Sequence, residues 1–330
     1  MMARVKPLVL ATLLALTGAG AFGAVPQKVI IDCDLAGDID DAFAVSLALS
    51  SPELDVLGLV MCHGNTAKRA QVACRLLYEV NRENIPVVVG RATPGIVGHD
   101  SGIAGDSQQF AWGAGFDRVK PVAQDAADFI IANLRRYPGE VVLITLGPAC
   151  NLADVIAKDP GALKLARRVV SMFGSFHLGY NSSPIPSAEW NVRADVAAAQ
   201  QFVNASVPIA YLGLDVTVFV KLGEADRQRL LFRQSPLTSA LCGLYTLWRY
   251  EEWSAPDPTL FDAVAVGAVL WPDLFSFRAA HVRVTDDGYT VLDETQPPNG
   301  EIATSIRTDE FLRRLMERYL KQNLGRPAGS

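Results

Sequence analysis

A cluster of five aspartates is the part of the sequence whose residue types and spacing best predict chemistry. Directly after a short apolar run, ten positions hold Asp32, Asp34, Asp38, Asp40 and Asp41. So many carboxylates in one turn repel one another, and a hard cation with oxygen ligands relieves that repulsion. Calcium accepts roughly six to eight such ligands. The cluster therefore predicts a metal site in preference to a solvated acidic turn.

The elements on either side of the cluster explain how its carboxylates could converge. Lys28–Cys33 is predicted to be a strand and Asp41–Leu49 a helix. Asp32 and Asp34 are two positions apart at the strand end, so they point the same way. Asp40 falls at the start of the helix, where the helix dipole and free backbone N–H groups favour a carboxylate.

The rest of the chain alternates strand-like and helix-like segments, which predicts an α/β fold. The strand-like segments are 28–33, 55–61, 85–89, 140–146, 168–173 and 209–214. The helix-like segments are 41–49, 66–81 (with Thr66 as N-cap), 122–136, 151–158, 192–203, 223–253, one starting near 262, and 311–320. Continuous apolar strands joined by helices predict a mostly parallel, Rossmann-like central sheet covered by helices on both faces. A small β-hairpin is predicted at 278–292, near the C-terminus.

The first two dozen residues predict an export signal. Residues 1–23 combine the basic Arg4 and Lys6, an apolar run from Pro7 to Leu16, and small residues suited to cleavage. The apolar run is shorter than a helix needs to span a bilayer, which disfavours an uncleaved anchor. We therefore expect residues 24–330 to form one catalytic domain, periplasmic or secreted, without membrane attachment after cleavage.

Charge and cysteine content narrow the classes of protein further. The net charge of −5 predicts no nucleic-acid partner and no attraction to anionic lipid. The cysteines form no CxxC pair and their number is odd, so a disulfide framework is not expected. They are Cys33, Cys62, Cys74, Cys150 and Cys242.

Aspartyl phosphatases offer a different interpretation of the two aspartates after the first strand. In that class a DxD motif supplies a nucleophile and an acid, and a small hydroxyl residue usually follows at a fixed place. Here Asp34 is followed by Leu35-Ala36-Gly37, and no later lysine stands in a matching context. The metal-site interpretation is therefore favoured.

The segment IIDCDLAGDIDDA resembles the opening of the inosine-uridine preferring nucleoside hydrolase family, in a variant with two extra residues before the paired aspartates. Further segments resemble the family in order: CHGN ending at Asn65, LGPACNLAD at 146–154, AEWN with Glu189 and Asn191, LGLDVT at 212–217, and LFDAVAV with Asp262. The matches cover roughly residues 28 to 270. Six motifs in the right order are far more specific than one.

The resemblance implies the nucleoside hydrolase fold and calcium-dependent cleavage of ribonucleosides to ribose and free base. It implies that the calcium ligands are Asp34, Asp40, Asp41, Asp262 and the backbone carbonyl of Leu146. Asp34 would accept the proton of the attacking water, and Asp262 would share the catalytic site. Asn65, Glu189 and Asn191 would hold the ribose hydroxyls. Family members are commonly dimers or tetramers, so the resemblance also implies a homo-oligomer.

Two positions depart from the family pattern. Many members have a histidine before the last aspartate, linked with protonating the leaving base, whereas this chain has Phe261. His99, in the long loop 91–118, is the best alternative acid, and the other interpretation is an exposed loop histidine without a catalytic role. The family usually has an asparagine at the position of Ser183, and Asn181 could take over that substrate contact.

These departures leave three functional hypotheses open. The first is a ribonucleoside hydrolase, and the second is a hydrolase of another N-riboside. The third is an exported nucleoside- or ribose-binding protein that has lost turnover, which the missing histidine at Phe261 keeps open. Retention of Asp34 argues against a pure binding protein, because binding does not need a proton acceptor.

Overall fold

A computed structural model describes residues 25–93, 107–252 and 256–326 of the chain. The strands are β1 (Gln27–Cys33), β2 (Leu54–Met61), β3 (Val87–Val89), β4 (Val142–Thr145), β5 (Arg168–Met172), β6 (Ile209–Leu212), β7 (Phe275–Ala280), β8 (Val282–Val284), β9 (Thr290–Leu292) and β10 (Gly300–Ile306). Eight of them form one central sheet, in the order β3-β2-β1-β4-β5-β6-β10-β7. Neighbouring strands pair in parallel except β10 and β7, so the predicted mostly parallel sheet is confirmed.

Helices cover both faces of the sheet, as predicted. They are α1 (Asp40–Leu49), α2 (Thr66–Glu79), α3 (Phe110–Gly113), α4 (Ala126–Arg136), α5 (Cys150–Lys158), α6 (Trp190–Arg193), α7 (Val196–Val203), α8 (Leu214–Thr217), α9 (Glu224–Arg233), α10 (Pro236–Glu251), α11 (Phe261–Leu270) and α12 (Thr308–Lys321). Along β1, Val29 and Ile31 belong to the core shared with α1 and α11, whereas Ile30 belongs to the core shared with α4 and α5. This alternation explains why the strand is apolar throughout.

The C-terminal part of the sheet differs from the sequence prediction. Only β8 and β9 form the small hairpin, which is shorter than the predicted 278–292. Phe275–Ala280 instead forms the antiparallel edge strand of the main sheet, paired with Gly300–Ile306. That last strand was not predicted, because its sequence mixes small and polar residues and only two of its seven residues, Ile302 and Ala303, are buried.

The start of α2 also corrects a prediction. Thr66 does not cap the helix, since its hydroxyl donates to the carbonyl of Gly90 at 2.9 Å. The cap is Asn65, whose side-chain oxygen accepts from the backbone N–H of Lys68 at 3.2 Å. Asn65 has the non-helical backbone that a capping residue needs.

All five cysteines are free thiols, in agreement with the expectation that no disulfide framework is present. Within the described ranges, no helix is both long and apolar enough to cross a membrane.

Phe311→Ala is expected to lower the free energy of unfolding by about 3–5 kcal/mol, because it removes a buried ring from the core. Phe311 is fully buried, its ring centroid lies 5.6 Å from that of Trp271, and its edge packs closely on Gly267 of α11. Chemical denaturation measures the change. Phe232→Ala is the matched control, since Phe232 is 76% exposed and its loss should change stability by less than about 0.5 kcal/mol. Equal effects in the two variants would contradict the packing described for α12.

Candidate active site

A cavity of about 730 Å³ lies beyond the carboxyl ends of the central strands. Its wall includes Asp34, Asp38, Asp40, Asp41, Leu146, Met172, Tyr180, Ser183, Glu189, Trp190, Asn191, Arg193, Phe261, Asp262 and Tyr289. The sheet therefore brings most of the predicted site residues to one place, although they come from segments more than 200 positions apart.

Three carboxylates form the centre of this cavity. One side-chain oxygen from each of Asp40, Asp41 and Asp262 lies within 4.8 Å of the other two. Asp40 and Asp41 begin α1, and Asp262 lies in the first turn of α11, so both helix dipoles favour the negative charge. The backbone N–H of Asp262 donates to Oδ2 of Asp40 at 3.2 Å, which joins the two helix starts directly.

The three carboxylates fit a divalent cation. Each is at most 4% exposed, and Oδ1 of Asp41 is buried with no hydrogen-bond partner. Burial, followed by repulsion from the neighbouring carboxylates, raises the pKa of Asp40, Asp41 and Asp262 well above the ordinary 3.8. A cation with a preference for oxygen ligands would neutralise this group and use the free oxygen.

Asp34 lies at the end of β1, in the wall of the same cavity, and is 6% exposed. Gly147 allows it to do so. A β-carbon at position 147 would lie 2.5 Å from Oδ1 of Asp34 and 2.6 Å from the sulfur of Cys62. Only glycine leaves room for the aspartate at this crossing of β1 and the segment after β4.

The turn that follows Asp34 is strained. Ala36 has a φ of 73°, in the left-handed region that non-glycine residues avoid at a cost of roughly 1–2 kcal/mol. His63, which follows the neighbouring strand β2, has a φ of 59°. Strained backbone of this kind persists only where the surrounding contacts hold it, and it often marks functional sites.

Glu189 and Asn191 form another part of the wall. The carboxylate of Glu189 accepts from the backbone N–H groups of Gly174 and Asn191, each at 2.9 Å, and burial raises the pKa of Glu189 to about 7. The side-chain amide of Asn191 donates to the carbonyls of Leu146 at 2.6 Å and Met172 at 3.1 Å. Leu146, whose carbonyl was predicted to be a metal ligand, therefore lies in the cavity wall, and this carbonyl accepts a hydrogen bond from Asn191.

Two of the predicted site residues, Asn65 and Asn181, lie outside the cavity wall. Asn65 caps α2 and is not part of the cavity wall. Asn181 is exposed, with a φ of 56°, and the wall contains Ser183 instead. His99 lies outside the described residues. The ribose contacts predicted for Asn65 and Asn181 thus gain no support from the geometry.

An aromatic pair faces the carboxylates. The rings of Phe261 and Tyr180 are 6.1 Å apart at a steep angle, and both line the cavity. The hydroxyl of Tyr180 accepts from the backbone N–H of Trp190 at 2.9 Å, which fixes the tyrosine ring. A flat, apolar group bound near Asp262 would contact these rings.

Sequence reasoning did not single out several residues that the structure brings to the site. Tyr180, Arg193 and Tyr289 line the cavity, and Arg69 and Gln109 are fully buried behind it. One signal could have identified Arg69. It shares the apolar face of α2 with Val72 and Leu76, at helical spacing, where a charged residue is unexpected.

A divalent cation is expected to raise the melting temperature of the metal-free protein near neutral pH, by roughly 5 °C at a concentration about 100-fold above Kd. In the folded chain, the pKa values of Asp40, Asp41 and Asp262 lie well above the ordinary 3.8. At pH values between 3.8 and these raised pKa values, the folded chain therefore binds more protons than the unfolded chain. Without a cation, the free energy of unfolding consequently falls as pH rises through this range. Scanning calorimetry at about pH 5 and about pH 7.5, with and without calcium, measures both effects.

Asp41→Asn should lose most of the cation-dependent rise in melting temperature. Asp117→Asn is the matched control, because Asp117 is an exposed aspartate and its variant should respond like the wild type. An unchanged response in Asp41→Asn would remove this carboxylate from the cation site.

Comparisons with known proteins show which proteins this chain is similar to. The family model described as inosine-uridine preferring nucleoside hydrolase matches residues 29–313. Uridine nucleosidase 1 of Arabidopsis thaliana is 31% identical over 282 residues, covering 81% of this chain and 82% of its own. The pyrimidine-specific ribonucleoside hydrolase RihA of Citrobacter koseri is 28% identical over 316 residues, covering 88% and 97%.

Solved structures show the same fold. A plant nucleoside hydrolase superposes with a TM-score of 0.77 at 27% identity, covering 90% of this chain and all of its own. A purine-preferring ribonucleoside hydrolase from Gardnerella vaginalis has a TM-score of 0.75 at 23% identity, covering 89% and 98%. Since the sequence match spans most of the chain and the fold agrees, the chain belongs to the inosine-uridine preferring nucleoside hydrolase family.

Proposed function

We propose that the protein is an exported, calcium-dependent enzyme that hydrolyses the N-glycosidic bond of ribonucleosides to ribose and free base. The observation that carries this proposal is the buried group of Asp40, Asp41 and Asp262 in one cavity with Asp34. The group supplies oxygen ligands for a hard cation, and Asp34 supplies a proton acceptor beside it. Family membership already makes the protein a nucleoside hydrolase; the ion and the proton acceptor are the new parts.

Calcium would be held by Asp40, Asp41, Asp262, the backbone carbonyl of Leu146 and Asp34. When bound, the ion supplies positive charge that lowers the pKa of water and favours a fixed position of the ribose diol. Two observations support a hard cation such as calcium at this place. The carboxylate group of Asp40, Asp41 and Asp262 offers only oxygen ligands, and Oδ1 of Asp41 is buried without a hydrogen-bond partner.

Asp34 is the proposed general base. Its carboxylate lines the cavity beside the cation group, where it can take a proton from the attacking water. Cleavage of the N-glycosidic bond develops positive charge on the ribose ring, which the surrounding carboxylates stabilise. Glu189 and Asn191, which also line the cavity, would bind ribose hydroxyls. No covalent nucleophile is needed.

The aromatic pair suggests which base leaves. The side chain of Phe261 has no ionisable proton. It can contact the base through its ring, together with Tyr180, but it cannot protonate the base. Pyrimidine nucleosides are the proposed substrates, and uridine is the first to test, because relatives at 31% and 28% identity are named uridine nucleosidase and pyrimidine-specific ribonucleoside hydrolase. His99 remains the candidate acid.

Location and assembly are further parts of the proposal. Residues 1–23 have the composition of an export signal, which supports a periplasmic or secreted protein acting on external nucleosides. The family resemblance supports a homodimer or homotetramer of residues 24–330.

The wild-type protein is expected to release uracil from uridine, to lose at least 100-fold in rate with a chelator, and to recover with calcium. A panel of uridine, cytidine, inosine, adenosine and nicotinamide riboside, followed by chromatography of the released base, measures this. Rapid release only from nicotinamide riboside would indicate the second hypothesis, a different N-riboside. No release from any member, together with calcium binding in calorimetry, would replace the hydrolase with a binding protein.

Asp34→Asn tests the proposed proton acceptor with the same panel of nucleosides. It keeps the shape of the side chain but removes the proton acceptor, so the rate should fall by about 10²–10⁴-fold. Asp287→Asn, in the exposed turn of the hairpin, should retain full activity.

Phe261→His is expected to increase the rate on inosine relative to uridine at least tenfold, because an imidazole at this place can protonate a purine as it leaves. The ratio of kcat/KM for the two nucleosides is the measurement. Phe261→Leu removes the ring without adding an acid, so its ratio should not shift toward inosine. If the ratio of kcat/KM shifted toward inosine equally in both variants, the cause would be the loss of the phenyl ring from the cavity and not the added acid.

A further inference from the structure

Arg69 is a buried cation directly behind the aspartate cluster. Its side chain has no exposed surface. Among the described residues, no other lysine or arginine is buried. A buried charge is expensive unless it is paired and hydrogen-bonded. The partners of Arg69 therefore indicate what the charge is retained for.

The first partners of Arg69 belong to the turn after β1. Its Nη1 donates to the carbonyl of Leu35 at 2.9 Å and also to the carbonyl of Asp34. Its Nη2 lies 3.8 Å from Oδ2 of Asp34, as an ion pair. One guanidinium thus holds both the backbone and the carboxylate of Asp34.

A further partner of Arg69 belongs to the turn after β2. The Nε of Arg69 donates to the carbonyl of His63 at 2.8 Å. Ala36 and His63 are residues other than glycine with left-handed backbone in these two turns, so Arg69 links both strained segments. The planar guanidinium, with donors in a fixed fork, can reach the two turns together, whereas a lysine ammonium cannot.

Gln109 holds the next part of the same turn. Its side-chain amide donates to the carbonyls of Gly37 at 3.0 Å and Asp38 at 3.1 Å, and the side chain is fully buried. The neighbouring Phe110 has its ring centroid 5.9 Å from the guanidinium carbon of Arg69. The carbonyls of four residues between 34 and 38 are therefore bound from behind by two side chains.

We propose that Arg69 and Gln109 are positioning residues that hold the turn 34–38 so that Asp34 is directed into the cavity. This inference rests on the proposed function of Asp34 as a proton acceptor. Neither residue lines the cavity, so neither contacts substrate. Their effect is exerted through the backbone of the turn and, for Arg69, through its charge beside the Asp34 carboxylate.

The test compares Arg69→Lys and Gln109→Leu with the wild type. Arg69→Lys keeps the charge and loses the fork, and Gln109→Leu keeps the volume and loses the two donated bonds. Both are expected to lower kcat on uridine by about 10- to 100-fold, because a small misplacement of a catalytic group costs that much, while KM changes less than about threefold. Arg75→Lys, on the same helix and paired with Glu79, is the control and should leave both constants unchanged.

Hydrogen–deuterium exchange of the metal-free proteins gives a readout that does not need turnover. Amides of residues 34–38 should exchange about tenfold faster in both variants, while those of β4 and β5 stay as protected as in the wild type. Uniformly faster exchange across the sheet would show a general structural role and overturn the proposal. Unchanged kcat together with unchanged exchange in the turn would also overturn it.

The design separates this inference from the proposed function. A wild type that hydrolyses no nucleoside would refute the function, and the exchange of residues 34–38 would then decide the role of Arg69 and Gln109. If Arg69→Lys does not fold, Gln109→Leu alone gives the deciding comparison.

Discussion

Repulsion among buried carboxylates is the constraint on which the rest of this structure depends. Asp40, Asp41 and Asp262 bring their oxygens within 4.8 Å of one another almost without contact with water. Helix dipoles and one backbone hydrogen bond reduce the repulsion but leave an oxygen of Asp41 without a partner. Such a group is stable when ionised only if a positive charge joins it. The fold can be understood as the scaffold that keeps these groups together despite that cost.

The parallel sheet provides this scaffold, because it directs the ends of several strands to one edge. Close approach there is possible only where side chains are absent, which accounts for Gly147 beside Asp34. The strained backbone at Ala36 and His63 is held by Arg69, whose donors bridge the turns after β1 and β2. The cavity thus depends on a rigid layer behind it as much as on the residues that line it.

The sequence was sufficient to predict the fold class and the centre of the site. Apolar strands alternating with helices indicated the parallel sheet, and the spacing of Asp34, Asp40 and Asp41 indicated the cation site. Asp262 could be added only through resemblance, since no local pattern connects it with a residue 222 positions away. The ring of Tyr180 could not be assigned to the cavity, because its position depends on how the loop before α6 folds. The last strand of the sheet was not predicted, because only two of its seven residues are buried and its hydrophobic pattern is weak.

The hydrogen bond between the starts of α1 and α11 has a consequence for how the molecule resists unfolding. A cation shared by these two helices would act as a reversible cross-link, closing a loop that contains most of the chain. The long helix-and-strand segments between the two anchors would then be unable to separate unless the ion is released first. Resistance to proteases would consequently follow the supply of the ion in the surroundings, independently of whether substrate is present.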